Sequence, residues 1–255
     1  MPDLGIANSV YKDQDFNPLK TIQWAHDNGF NPCQIYLNHP IMKDMYLLDA
    51  IRHTALKCNK TLLVHAPHFD IFEAEKRKSI LGISKRLLKG LAWKTHGCLI
   101  WHIHPDKNLT AHLRINEMIV EAGLCSCPEN FHLSDDREHW ERTVQLTFAV
   151  WSDPCCIPVL DLPRLFSTYP KWISINLAER YIHMFNKHDL RILHVIDGTQ
   201  PLHNRTGWKP IMTGELQWNL LLRPCLENAR ATALIFEYED RRNPIISKEI
   251  YLTLF

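Results

Sequence analysis

The sequence predicts an α/β fold, a single (β/α)8 barrel, on three observations. Short apolar, β-rich runs alternate with helical stretches from one end of the chain to the other. The alternation can be followed through eight strands, and the later ones recur at roughly 30 to 45 residue intervals, about one strand-helix unit of a parallel barrel. The length of 255 residues fits one such barrel with little room for insertions.

The strands are expected to begin near Leu4, Cys33, Thr61, Cys98, Leu124, Ile157, Arg191 and Ala231. Helices are expected near Pro18 to Asn28, Lys43 to Lys57, Lys78 to Thr95, Thr110 to Ala122, Arg137 to Trp151, Ile173 to Lys187 and Gly214 to Asn228. Asn17 before Pro18 reads as an N-cap followed by a first-turn proline, and Asn28-Gly29 as the stop of the same helix. Trp140, Val144 and Phe148 form one apolar stripe, which marks that helix face as core.

After the eighth strand, Asp240 to Asn243 leads into Pro244 and a β-prone tail, Ile245 to Phe255. Residues 1–243 are therefore read as the barrel and 244–255 as a short C-terminal extension of the same domain. That tail either caps the barrel bottom or mediates association into a homo-oligomer. With nine glycines and no repeat or linker, a glycine-rich phosphate loop does not organise this chain.

A formal net charge of +1 supplies no global field to gather polyanions, which disfavours a nucleic-acid partner. The eight cysteines lie mostly in apolar runs, where thiols pack as small hydrophobes. Neither a secretory leader nor a membrane-length apolar stretch is read in the sequence, so a reduced, cytoplasmic setting without a membrane partner is expected. Of the fifteen histidines, His53, His96, His112, His139, His183 and His188 are assigned to solvated or capping positions on helices.

The chemistry is expected where strands five to eight end. Glu129, Asp161, His194 and Glu237 each follow a short apolar run and precede turn-forming sequence. In a barrel, residues just beyond the strand C-termini share one cavity, so these four converge. Three carboxylates and an imidazole form a mainly oxygen donor set suited to Mn²⁺, Mg²⁺ or Co²⁺.

This ordered Glu, Asp, His, Glu resembles the shared metal set of the xylose isomerase-like TIM-barrel superfamily, which includes sugar isomerases and epimerases and the endonuclease IV type of DNA-repair enzyme. Gln34-Ile35-Tyr36-Leu37, His65-Ala66-Pro67, His104-Pro105 and Gly214-Glu215-Leu216-Gln217-Trp218 extend the resemblance over nearly the whole chain. It implies a metal-dependent isomerase or epimerase of a small sugar, sugar phosphate or polyol. Glu129 and Glu237 are then the acid/base pair beside a metal-chelated carbonyl.

Within the endonuclease IV branch, His65 and His104 would instead ligate a further ion shared through Glu129, with Zn²⁺ as the metal and a DNA phosphodiester as the substrate. Arg164 stands where that branch needs a histidine for a third metal, and the branch's Asp-x-His pair falls near Thr206 and Trp208, with His203 as a substitute. A barrel that binds ligand without catalysis is a third reading. In the isomerase reading, His68 and His102 line the substrate side, and Asp197 orients His194, contacts substrate or shapes the turn at Gly198. Arg164 and Arg205 are offered to an anionic substrate group. Because side chains alternate along a strand, His102 and His104 are expected on one face.

Overall fold

The structure is a computed structural model that describes residues 1–131, 137–166, 175–198, 207–214 and 218–255. Eight parallel strands close on themselves: β1 (Asp3–Ala7), β2 (Cys33–Tyr36), β3 (Leu62–His65), β4 (Cys98–His102), β5 (Cys125–Glu129), β6 (Val159–Asp161), β7 (Ile192–Val195) and, after a small two-stranded hairpin of β8 (Asp197–Gly198) with β9 (Trp208–Lys209), β10 (Ala233–Phe236), which pairs back to β1. The expected (β/α)8 barrel is the observed fold.

The helical layer comprises α1 (Pro18–Asp27), α2 (His39–Lys43), α3 (Met45–Lys57), α4 (Ala74–Leu88), α5 (Leu109–Glu121), α6 (Arg137–Trp151), α7 (Leu162–Phe166), α8 (Ile175–Phe185), α9 (Trp218–Asn228) and α10 (Asn243–Leu254). Local chemistry sets several of these boundaries. Asn17 accepts the Lys20 amide at 3.1 Å and Pro18 opens α1, while Gly29 takes φ +67° just past its end. Asn108 caps α5 through the Ala111 amide at 2.9 Å.

Strand alternation divides the core in two. Leu63, Ile100, Cys127, Val159, Ile192, Ala233 and Ile235 pack together inside the barrel. Their neighbours in sequence, such as Val64, Leu99, Trp101, Leu160, Leu193 and Phe236, join the larger layer between sheet and helices. Full burial on both faces explains why the strands read as continuous apolar runs. All eight cysteines are free thiols and six are buried, as expected of packing residues.

Two sequence expectations are corrected. The tail is not β-prone in the fold: it is helix α10, whose first amides, on Arg242 and Asn243, bond the Asp240 carboxylate at 2.8 and 2.7 Å. Pro244, Ser247 and Tyr251, at helical spacing, are its buried positions, and this burial overrides the strand preference of its isoleucines. His112 is not solvated. It is fully buried, and its Nε2 accepts the His104 amide at 2.9 Å. Among the described residues, no helix is long and apolar enough to cross a membrane.

Candidate metal centre

Above the apolar barrel filling, the next inward positions of the strands are polar. Register places His102 beside Glu129 and Asp161 beside His194 on neighbouring strands. Gln34, His65, His102, Glu129, Asp161 and His194 are all buried, and Glu237 keeps 23% of its side chain exposed. Six strands, with Glu237 just past the end of a seventh, β10, thus contribute to one layer toward their C-terminal ends, the end where this fold gathers its chemistry.

Glu129 is the hub. Its Oε2 lies 2.8 Å from His65 Nε2 and 3.1 Å from His102 Nε2. Its Oε1 accepts from Arg164 Nε at 2.9 Å and stands 3.6 Å from His194 Nδ1. Glu237 Oε1 sits 3.4 Å from the same His194 nitrogen and accepts from Gln34 Nε2 at 2.5 Å. Asp161 is bracketed by Asn130, whose Oδ1 accepts the Asp161 amide at 2.7 Å while its Nδ2 donates to the Asp161 carbonyl at 3.1 Å. Arg164, on the short helix α7 directly after β6, donates Nε to Asp161 Oδ2 at 2.5 Å.

The electrostatics follow from burial against charge. Burial alone would raise Glu129, but Arg164, His102 and His194 outweigh it and hold the carboxyl well below the usual range. Burial lifts Asp161 well above the usual carboxylate value against the pull of Arg164, with Glu129 and Glu237 adding to the rise. His102 is pushed down by burial and by the Arg164 charge. Burial would lower His194 too, yet the charges of Glu237, Glu129 and Asp161 raise it to about 9.

Two groups of donor atoms have the closeness a metal ion requires: His65, His102 and Glu129, and Glu129, Asp161 and His194, each with all donors within 4.8 Å of one another. Their state fits a cation. His65 Nδ1 lies 2.8 Å from the Ala66 carbonyl, an acceptor, so that nitrogen carries a proton. Its Nε2 faces Glu129 Oε2 at 2.8 Å, where a proton or a metal ion can bridge the two atoms. Both His194 nitrogens and His102 Nδ1 are buried without a hydrogen-bond partner among the described residues.

The other expected site residues fall as follows. His104 lies beyond the end of β4, its ring against Phe69 and Phe131 at 4.2 and 4.7 Å, outside both donor groups. Its place beside Glu129 is taken by His102, because strand alternation stops where the strand stops. His68, exposed at the rim, stacks on His102 at 4.0 Å. Asp197 shapes the turn: Oδ1 accepts the Gly198 amide at 2.6 Å and Oδ2 the Gly214 amide at 3.1 Å. A Cβ at Gly214 would collide with that carboxylate, so glycine is required there. Arg205 and His203 lie outside the described residues. Gln34 and Asn130 were not singled out as site residues in the sequence. Gln34 belongs to the polar layer and Asn130 directly follows Glu129, and those placements were the available signal.

A scan against protein-family models finds no match, and neither does a comparison with curated proteins. Solved structures do match. The IOLI protein with a binding zinc atom is 12% identical, with 98% of this chain and 96% of that chain covered at a TM-score of 0.64. D-Psicose 3-epimerase from Clostridium cellulolyticum H10, solved with D-tagatose, is 13% identical over 99% of this chain and 96% of that chain, TM-score 0.61. A xylose isomerase-like TIM barrel protein from Mycobacterium smegmatis in complex with magnesium is 11% identical over 92% and 87%, TM-score 0.59. At such identities the likeness is one of fold, and the chain has the xylose isomerase-like TIM-barrel fold.

Proposed function

We propose that this chain is a metal-dependent isomerase or epimerase of a small sugar, sugar phosphate or polyol. The observation that carries the reading is the buried donor layer around Glu129, set at the strand C-termini with His194 Nδ1, which has no hydrogen-bond partner among the described residues, beside Glu129 and Glu237. Likeness of fold to a D-psicose 3-epimerase supports the same class. Glu129 belongs to both donor groups and would hold the divalent ion whichever group seats it. His65 and His102 complete one seat, and Asp161 and His194 the other, with Glu237 3.4 Å from His194 beside it. A bound divalent ion would chelate adjacent substrate oxygens and acidify the C–H bond beside the carbonyl.

The chain's own residues divide the remaining work. Among the described residues Glu237 is the only carboxylate of the layer with an open side, and its contacts there all use Oε1. It is placed to take the proton from carbon, the electron pair passing to the carbonyl oxygen. Glu129, which rests as a carboxylate, is the partner that returns a proton to carbon after taking one from the substrate hydroxyl or from solvent. Gripped on both oxygens and held at low pKa, it is the weaker base, so Glu237 carries the first transfer. Gln34 fixes the Glu237 carboxylate, and His68 lies at the rim where substrate hydroxyls would enter.

The test is exchange of substrate C–H with solvent deuterium. A panel of ketoses, aldoses, polyols and their phosphates, incubated with Mn²⁺, Mg²⁺ or Co²⁺ in D₂O, is expected to yield at least one exchanging compound, with exchange lost in Glu237→Gln. Absence of exchange across the panel contradicts the reading. One observation favours a second: Glu129 shared between two donor groups is the arrangement of a bridging carboxylate in a two-ion phosphodiesterase. Metal-dependent cleavage of DNA at a damaged site, without sugar exchange, would establish that alternative.

A further inference from the structure

The cation between the two innermost carboxylates is an amino acid. Arg164 Nε bonds Glu129 Oε1 at 2.9 Å and Asp161 Oδ2 at 2.5 Å, and its backbone amide bonds Asp161 Oδ1 at 3.2 Å. Its Nη2 lies 3.0 Å from His102 Nε2, and only 12% of its side chain is exposed. Two of the three members of the Glu129, Asp161, His194 group therefore already share one positive charge. A guanidinium does not release its proton, so a divalent ion brought between these two carboxylates would meet a fixed positive charge already in that place. On the far side of the hub Glu129 Oε2 faces His65 Nε2 and His102 Nε2, and of these three atoms the arginine reaches only His102 Nε2, through Nη2, a single contact that an ion seated there would displace.

We propose that Arg164 is a resident cation that fills the Glu129–Asp161–His194 position, so that the chain takes a single divalent ion, seated by His65, His102 and Glu129. The inference rests on the metal-dependent reading above and deepens it. A centre that could hold two ions around a shared carboxylate is restricted to one by a charge the chain carries itself. Two-ion clamping of a phosphodiester needs both positions, whereas polarising one carbonyl needs one. Arg164 thereby sets the reaction class that the donor layer can support.

Ion stoichiometry tests this without reference to activity. Metal-free wild type, Arg164→Ala, Arg164→Gln and Arg164→Lys are saturated with Zn²⁺ or Mn²⁺, freed of excess by gel filtration and measured by elemental analysis, with circular dichroism confirming the fold. Wild type and Arg164→Lys are expected to hold one ion per chain and Arg164→Ala two. Should Arg164→Ala fail to fold, Arg164→Gln, which keeps volume and removes charge, decides on the same count. The wild-type ion should be lost in His65→Ala and kept in Asp161→Asn. Two ions on the wild type, or one ion with unchanged affinity on both neutral variants, overturns the proposal and leaves the metal reading standing. No ion on any form overturns both.

Discussion

His65 points Nε2 at Glu129 Oε2 from 2.8 Å while its other nitrogen is spent on the Ala66 carbonyl. That one relationship ties β3 to β5 and sets two donor atoms where a proton or a divalent ion can bridge them. Metal content follows from it. Glu129→Gln, which blunts the donor common to both groups, is expected to lower ion affinity at least about tenfold, in line with losing a charged ligand. His104→Ala, outside both groups, should leave affinity within about twofold. Calorimetric titration of the metal-free protein with Zn²⁺ and Mn²⁺ reads both.

Asn130, fully buried, holds the Asp161 backbone through two reciprocal hydrogen bonds. Truncating it to alanine leaves the Asp161 amide and carbonyl short of partners, at a cost of about 1–3 kcal/mol. Urea denaturation of Asn130→Ala is expected to show this loss with an unchanged m-value.

Gly214 approaches the Asp197 carboxylate too closely for any side chain. Gly214→Ala must therefore break the bond from its own amide to Asp197 or push β8 away from its place. A loss of about 1–3 kcal/mol is expected in thermal or denaturant melts. A neutral substitution would mean the turn is held some other way.

Asp197 also carries a pH signature. Burial raises its carboxyl to about 6, above the ~3.9 of an unfolded aspartate. Between these values the folded chain binds more protons than the unfolded one, so this group's contribution to stability falls as pH rises from about 4 to about 6 and is level beyond. Relative to wild type, Asp197→Asn should therefore lose that decline, a difference on the order of 2 kcal/mol between pH 4 and 7. Melts across this range check the sign, and the opposite slope would place the carboxylate in a charge-stabilising environment.

How much of this was legible in the sequence depends on which forces act locally. Strand starts at Cys33 and Cys98, the helix over Arg137–Trp151 and the cap at Asn17 were readable because each is set by nearby residues. The convergence of Glu129, Asp161 and His194 was readable because parallel strands end at one rim. What failed was long-range. Alternation placed His102 and His104 together, but β4 ends at His102 and the chain then turns, carrying His104 to Phe69 and Phe131. Arg164 read as a substrate anchor because no local pattern reveals that its side chain reaches back to Glu129, 35 residues earlier. The helix α10 was hidden by β-branched residues whose burial the rest of the barrel decides.

The central claim is a divalent ion bound through Glu129 in the polar layer of the barrel. Anomalous diffraction from crystals grown with Mn²⁺ or Zn²⁺, recorded at the metal edge, tests it most directly. The account predicts a single strong peak within coordination distance of Glu129 Oε2, with Arg164 still between Glu129 and Asp161. A saturated crystal with no anomalous peak near Glu129 would contradict it.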